Sequence, residues 1–151
     1  MKALVQRVRY ARVTINGEEI RETGPGLLVL FGCAEGDDIK DCRKLAEKTA
    51  NLRIFTDSQD KMNLSALELG LSAMVVSQFT LLADTKKGNR PSFIAAAKPP
   101  LAVDAYEEYV RILSSLGLKE VKTGEFGADM QVEICNDGPV TVMLDTEEWK
   151  R

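Results

Sequence analysis

Two polar stretches interrupt apolar segments of this chain, and both carry groups able to bind or transform a ligand. The first is Ser77-Gln78-Phe79-Thr80, set between Met74-Val75-Val76 and Leu81-Leu82. Three polar side chains in a buried strand cost free energy unless they find partners. They can bond internally, face solvent on alternate positions, or form a strand end that offers backbone N–H and hydroxyl donors to a ligand. The second is Asn136-Asp137-Gly138-Pro139. That tetrapeptide is first of all a turn signature, so a plain hairpin turn is its simplest reading. Gly138-Pro139 also permits a cis peptide. A cis bond would point the Gly138 and Pro139 carbonyls the same way, giving two fixed acceptors suited to an ammonium group.

The chemistry open to these residues is bounded by a count. There is no histidine among the 151 residues. This removes the Ser-His-Asp and Cys-His types of catalysis and makes a transition-metal site unexpected. Cys33, Cys42 and Cys135 fit no metal or redox spacing, and are read as buried thiols of a reducing cytosol. No cofactor and no metal are expected. An enzyme built from this sequence would work with carboxylates, hydroxyls, backbone dipoles or its substrate's own groups. Thr80 is a possible nucleophile or water-positioner, but no base for it is evident.

Net charge is −3, whereas a protein that wraps nucleic acid is usually basic. Any such contact should be local, and two groups offer it: Arg7, Arg9 and Arg12, and the loop cations Lys86, Lys87 and Arg90. Solvated surface charge is the plainer reading of both. Charge interrupts the N-terminus too early for a signal-peptide core, and no apolar run approaches the roughly 20 residues that span a bilayer. A cytoplasmic protein is expected.

The elements that must position these groups follow from periodicity. Residues 3–15 are rich in Val and Ile and read as a strand; Asn16-Gly17 is a strong hairpin signal; a return strand covers 18–23. Leu27–Phe31 is a continuous apolar run, expected for a strand buried on both faces. Asp37 can cap a helix over 38–51, with Ile39, Cys42, Leu45, Ala46 and Thr49 on one face. Leu52–Thr56 reads as a short strand and residues 73–82 as a central one. A second helix over 102–116 follows Pro99-Pro100, with Ala102, Ala105, Tyr106, Tyr109, Val110 and Leu113 as its apolar stripe. Strands at Glu120–Lys122, Met130–Cys135 and Val140–Leu144 complete the chain. Seven or eight strands and two main helices predict an α+β fold over residues 1–151, one domain with a curved, largely antiparallel, barrel-like sheet.

Two further stretches stand out. Thr123-Gly124-Glu125-Phe126-Gly127-Ala128-Asp129-Met130 suggests a tight loop where another backbone approaches closely. Lys87-Gly88-Asn89-Arg90-Pro91-Ser92-Phe93 is a basic loop with a rigid exit.

Taken together and in this order, these segments resemble the D-aminoacyl-tRNA deacylase family, also called D-tyrosyl-tRNA deacylase, over essentially the whole chain. Val5-Gln6-Arg7-Val8, Gly24–Leu30, Leu52-Arg53-Ile54-Phe55, Lys61-Met62-Asn63, Val76–Leu81, Lys87–Phe93, Gly124–Met130 and Asn136–Thr141 carry the resemblance. One departure is Asp60, where Gly is expected before Lys61-Met62-Asn63. The resemblance implies a homodimeric hydrolase that cleaves the ester of D-aminoacyl-tRNA. Ser77, Gln78, Phe79 and Thr80 would be catalytic. Gly138 and Pro139 would reach into the partner's pocket, hold the substrate's amino group and exclude an L side chain. Asn136, Met130 and Phe126 would line the pocket. Arg7, Lys86, Lys87 and Arg90 would contact tRNA phosphates. Backbone N–H groups near Gln78 and Phe79 would hold the oxyanion, and glycyl-tRNA mischarged on alanine tRNA would also be cleaved. The alternatives are a non-catalytic module that binds D-aminoacyl ends and a small-ester or thioester hydrolase with no RNA role.

Overall fold

The computed structural model describes residues 1–150. Its elements in chain order are β1 (Lys2–Ile15), β2 (Glu19–Thr23), β3 (Gly26–Gly32), α1 (Asp41–Asn51), β4 (Phe55–Thr56), β5 (Met62–Leu64), α2 (Ala66–Leu69), β6 (Ser72–Ser77), α3 (Leu101–Ser115), β7 (Val121–Thr123) and β8 (Met130–Asp145), with 3₁₀ turns at Phe79–Leu82 and Thr146–Trp149. The fold is α+β, as the sequence predicts.

Strand β1 organises the sheet. Along one edge it pairs antiparallel with β8 from Lys2 to Ile15. Along the other its first half pairs with β3 and its second half with β2. Beyond β3 the sheet turns parallel, through β6 to β7. It curls until its far edge meets β2: Arg21 donates to the carbonyls of Thr123 (3.0 Å) and Gly124 (3.2 Å), and Lys122 Nζ to that of Glu22. The result is a nearly closed barrel.

The curl creates two apolar cores. Val8, Ala11, Val13, Ile15, Leu28, Met74 and Val76 fill the concave side. Ala3, Val5, Leu27, Val29, Phe31, Ala73 and Val75 face outward against α1 and α3, where Phe31 stacks on Tyr109 at 4.9 Å. β3 and β6 contribute to both cores, which explains their unbroken apolar runs. Burying a side chain such as Leu28 or Met74 stabilises the fold by about 1.5–3 kcal/mol.

Turn chemistry agrees with the sequence at Asn16-Gly17, where both residues take positive φ. Asp60 also takes a positive φ, +62°, the conformation that suits the glycine expected there. The Asp57 carboxylate ties that turn by accepting from the N–H groups of Gln59 and Lys61.

Five expectations are corrected. Helix α1 begins at Asp41 rather than 38, because Asp37 does not cap it: that carboxylate accepts from Ala34 N–H (2.7 Å) and pairs with the buried Met1 ammonium (2.7 Å). Within the segment Leu52–Thr56, only Phe55–Thr56 pairs as strand. Strand β6 stops at Ser77 instead of running to 82. The separate strands at 130–135 and 140–144 are one strand, β8. A third helix, the short α2, carries a capping box between Ser65 and Glu68.

The Asn136-Asp137-Gly138-Pro139 segment is therefore a bulge and not a hairpin turn. Val8 pairs with Asn136, but Gln6 pairs with Thr141, so β8 carries three more residues than β1 there. The excess inverts the strand's alternation. Met130 and Ile134 face the concave core, whereas Val140, Val142 and Leu144 face the helices.

Candidate active site

The first motif sits where β6 ends. Ser77 is the last paired residue, opposite Phe31. Gln78 leaves the strand but still donates its N–H to the Phe31 carbonyl at 2.7 Å. The chain then folds into the Phe79–Leu82 turn, closed by Leu81 N–H on the Gln78 carbonyl (3.2 Å) and Ala83 N–H on that of Thr80 (3.1 Å). Gly32 permits this fold-over: a Cβ there would stand 2.7 Å from Leu82 Cδ2 and 3.0 Å from the Gln78 carbonyl oxygen.

Two backbone donors result. The N–H groups of Phe79 and Thr80 open the turn and meet no acceptor among the described residues. Gln78 is not a third, since Phe31 occupies its N–H; this corrects the expectation that its amide is open to a ligand. The Gln78 side-chain amide donates to Thr80 Oγ1.

Facing this turn is the loop from β7 to β8. Gly124 continues the pairing by donating to the Val75 carbonyl at 3.1 Å. A Cβ on Gly124 would fall 2.4 Å from Met130 Sδ, so the glycine makes room for that side chain. Gly127 takes φ +78° and Ala128 N–H closes the turn on the Glu125 carbonyl. Behind Phe126 stands Tyr106, ring centroids 6.0 Å apart. Its hydroxyl donates to the Val75 carbonyl, and burial pushes the phenol up to about 12. Tyr106 is thus a neutral brace.

Between the two segments lies a cavity of about 350 Å³. Val76, Ser77, Gln78 and Phe79 form one wall; Phe126, Gly127, Ala128, Asp129, Met130 and Val132 form the other. The sequence-predicted Ser77, Gln78, Phe79, Phe126 and Met130 thus come together, with Thr80 exposed beside them. Asp129, which sequence reasoning did not single out, is the one ionisable side chain of the lining. A hollow of about 590 Å³ lies between β2 and β7, but it is an open sheet edge of strand side chains. The smaller cavity combines unpaired backbone donors, hydroxyls and aromatic walls.

The second motif lies outside this cavity. Gly138 and Pro139 are exposed and joined by a cis peptide bond. Asn136 does not line the cavity either: its Oδ1 accepts from Val140 N–H at 3.1 Å and closes the bulge. Arg7, expected at tRNA phosphates, is turned inward with its side chain 12% exposed. Its Nε donates to the Asp137 carbonyl (2.8 Å) and its Nη1 to the Ile54 carbonyl (2.7 Å). A half-buried guanidinium engaged by two carbonyls is a structural clamp rather than a surface cation. Lys86, Lys87 and Arg90 behave as expected of solvated cations: all are exposed, and none has a carboxylate within 4.0 Å among the described residues. Their loop joins the site through Phe93, whose ring meets that of Phe79 edge-on at 5.2 Å.

Comparison with known proteins fits this geometry. The family model described as D-Tyr-tRNA(Tyr) deacylase matches residues 4–145. The chain belongs to the D-aminoacyl-tRNA deacylase family. It is 50% identical over 148 residues to the D-aminoacyl-tRNA deacylase of Fusobacterium nucleatum, covering 98% of this chain and 97% of that protein. It is 53% identical over 148 residues to that of Dehalococcoides mccartyi, covering 98% and 96%. Among solved structures, the c-Myc DNA Unwinding Element Binding Protein superposes with a TM-score of 0.89 at 40% identity, over 96% of this chain and 98% of that one. A structure described as a probable eukaryotic D-amino acid tRNA deacylase superposes at 0.82 with 14% identity, over 95% and 97%, and supports the fold alone. Membership of the deacylase family makes this protein an aminoacyl-tRNA hydrolase. No helix of the described residues is long and apolar enough to cross a membrane.

Proposed function

We propose that the cavity at Ser77–Thr80 cleaves the ester of D-aminoacyl-tRNA, releasing a D-amino acid and free tRNA, and that Gly138 and Pro139 of a second copy complete it. The observation carrying this reading is the separation of the two motifs. One is a cavity with open N–H donors. The other is the exposed Gly138–Pro139 bulge, which takes no part in lining that cavity. In a homodimer each would supply what the other lacks.

In this reading the ester carbonyl lies against the Phe79 and Thr80 N–H groups, which stabilise the oxyanion as water attacks. The tetrahedral intermediate collapses by breaking the acyl–oxygen bond, and the ribose oxygen leaves with a proton. With no histidine, the vicinal ribose hydroxyl assists in activating the water. Thr80 positions water rather than acting as nucleophile, since no base adjoins it. The partner's backbone carbonyls hold the substrate ammonium, leaving room for hydrogen or a D side chain and none for an L side chain. A filter made of backbone reads handedness without reading the side chain, so several D-amino acids and glycine are substrates. Lys86, Lys87 and Arg90 meet acceptor-end phosphates, in the cytoplasm where charged tRNA is used.

Deacylation of D-tyrosyl-tRNA and L-tyrosyl-tRNA by the purified protein tests the reading. Release of D-tyrosine with the L-ester spared supports it. Binding without release from either ester would make the protein a non-catalytic module, and equal release from both would remove the backbone filter.

A further inference from the structure

Arg7 holds the Gly138–Pro139 bulge by only one of its two carbonyl bonds. The other runs to Ile54, the residue just before β4. The three surplus residues of the bulge lie outside the β1–β8 ladder; the Asn136–Val140 and Arg7–Asp137 bonds tie it, with looser ion pairs from Arg7 (3.9 Å) and the exposed Arg9 (3.7 Å) to the Asp137 carboxylate. A guanidinium fixed at both ends of its fork has one orientation; fixed at one end, it swings. Where Ile54 stands therefore bears on where Gly138 stands.

Ile54 is itself held from outside. Its N–H donates to the Leu52 carbonyl at 3.0 Å. Its neighbour Arg53 donates from Nε to the Asn63 carbonyl at 2.9 Å and from Nη2 to Asn63 Oδ1. Asn63 Nδ2 donates in turn to Asp57 Oδ2 at 3.2 Å. The β4–β5 ladder has two paired positions with an irregular register, too short to fix its own geometry. The buried Ile54 and Phe55 side chains anchor the segment in the core, and the Arg53–Asn63 pair ties its backbone to the following strand.

We propose that Arg53 and Asn63 are positioning residues for the Gly138–Pro139 segment, acting through the Ile54 carbonyl and Arg7, and so set the enzyme's discrimination between D and L substrates. The inference rests on the proposed filter and extends it to residues that touch neither substrate nor bulge. Arg53 is exposed, and a surface staple alone would affect only stability.

The test compares Arg53→Ala, Asn63→Ala and Gly138→Ala with the unaltered protein, reading kcat/KM for D-tyrosyl-tRNA and L-tyrosyl-tRNA beside the thermal midpoint. The D/L ratio should fall about tenfold in each of the first two variants, within the range by which residues along a contiguous network modulate coupling. In an Arg7→Ala background, Arg53→Ala should change the ratio no further, because its effect runs through Arg7. Arg53→Lys keeps the charge without the two-bonded clamp and should not restore the ratio. A lowered midpoint with an unchanged ratio in both Arg53→Ala and Asn63→Ala would overturn the inference while a collapsed ratio in Gly138→Ala kept the filter. An unchanged ratio in Gly138→Ala would overturn both.

Discussion

Gly138→Ala is the most direct probe of the bulge. Gly138 has φ +139°, and a Cβ there would lie 2.8 Å from Val140 Cγ2, 2.9 Å from Val140 N and 3.1 Å from Arg7 Nη2. The side-chain contact can yield by rotation. The backbone nitrogen cannot, because it is bonded to Asn136 Oδ1, and Arg7 Nη2 belongs to a guanidinium fixed by two carbonyls. Forcing an L-residue into a region used by glycine costs about 1–3 kcal/mol. At about 2–4 °C per kcal/mol for a chain of this size, the midpoint should fall by roughly 2–12 °C, and the fold should survive. The bulge must shift, and a misplacement on the order of 1 Å at a positioning element costs about 10²-fold in rate. D-tyrosyl-tRNA turnover should fall by about that factor, and the D/L ratio should fall with it. Initial rates on both esters, measured well below the thermal midpoint, decide the matter. A midpoint lowered as expected with both rates unchanged would refute the placement of the filter at Gly138.

Other expectations concern the basic loop, Thr80 and the buried acids. Replacing Lys86, Lys87 and Arg90 by Gln should raise KM more than it lowers kcat and reduce the salt slope of binding by about two, at roughly 0.7 per contact; an unchanged slope rules the loop out. Thr80→Val removes the hydroxyl that accepts the Gln78 amide but leaves its own N–H. It should retain turnover within about tenfold, while trapping of a threonyl ester in the unaltered protein would disprove the water mechanism. Burial raises the Cys33 thiol to about 11, the Cys42 thiol to about 12 and the Tyr106 phenol to about 12. Above about pH 9 the unfolded chain sheds thiol protons that the folded chain keeps. Stability should thus be fully present below pH 9 and decline as pH rises towards 12. A urea midpoint that is flat from pH 8 to 11 would contradict the burial of these groups.

Much of this architecture is legible because its signals are local. The Val-rich first strand, the Asn16-Gly17 turn, the apolar run of β3 and the stripe of α3 are set by residues a few positions apart. The corrections come from distant partners. Asp37 resembles a helix cap until Met1 arrives to claim its carboxylate. Phe79, Leu81 and Leu82 read as a continuation of β6 past its polar interruption, yet residues 78–82 turn away, and Gly32 leaves space for Leu82. Asn136-Asp137-Gly138-Pro139 has the composition of a turn, and only the unbroken run of β1 beside it makes it a bulge. Cys135, expected with the buried thiols, is half-exposed at that bulge. Two signals were present and unread. Arg7 shares its parity with the buried Ala3 and Val5, which points its side chain to the covered, helix-bearing face of the sheet rather than to solvent. Ser65-Ala66-Leu67-Glu68 spells the capping box of α2. The cavity itself draws on β6 and the β7–β8 loop, so Asp129 gave no sign of its place.

The three surplus residues of β8 also restrict how the gene can change length. Because the surplus is odd, it exchanges which side chains of the strand meet the concave core and which meet the helices. Losing or gaining a single codon there would turn Val140, Val142 and Leu144 away from the helices and present Thr141 and Met143 in their place. Losing or gaining two codons would leave both cores intact. Insertions and deletions in this stretch should therefore survive selection in pairs, so that the segment can be remodelled in reach and shape while the barrel behind it is inherited unaltered.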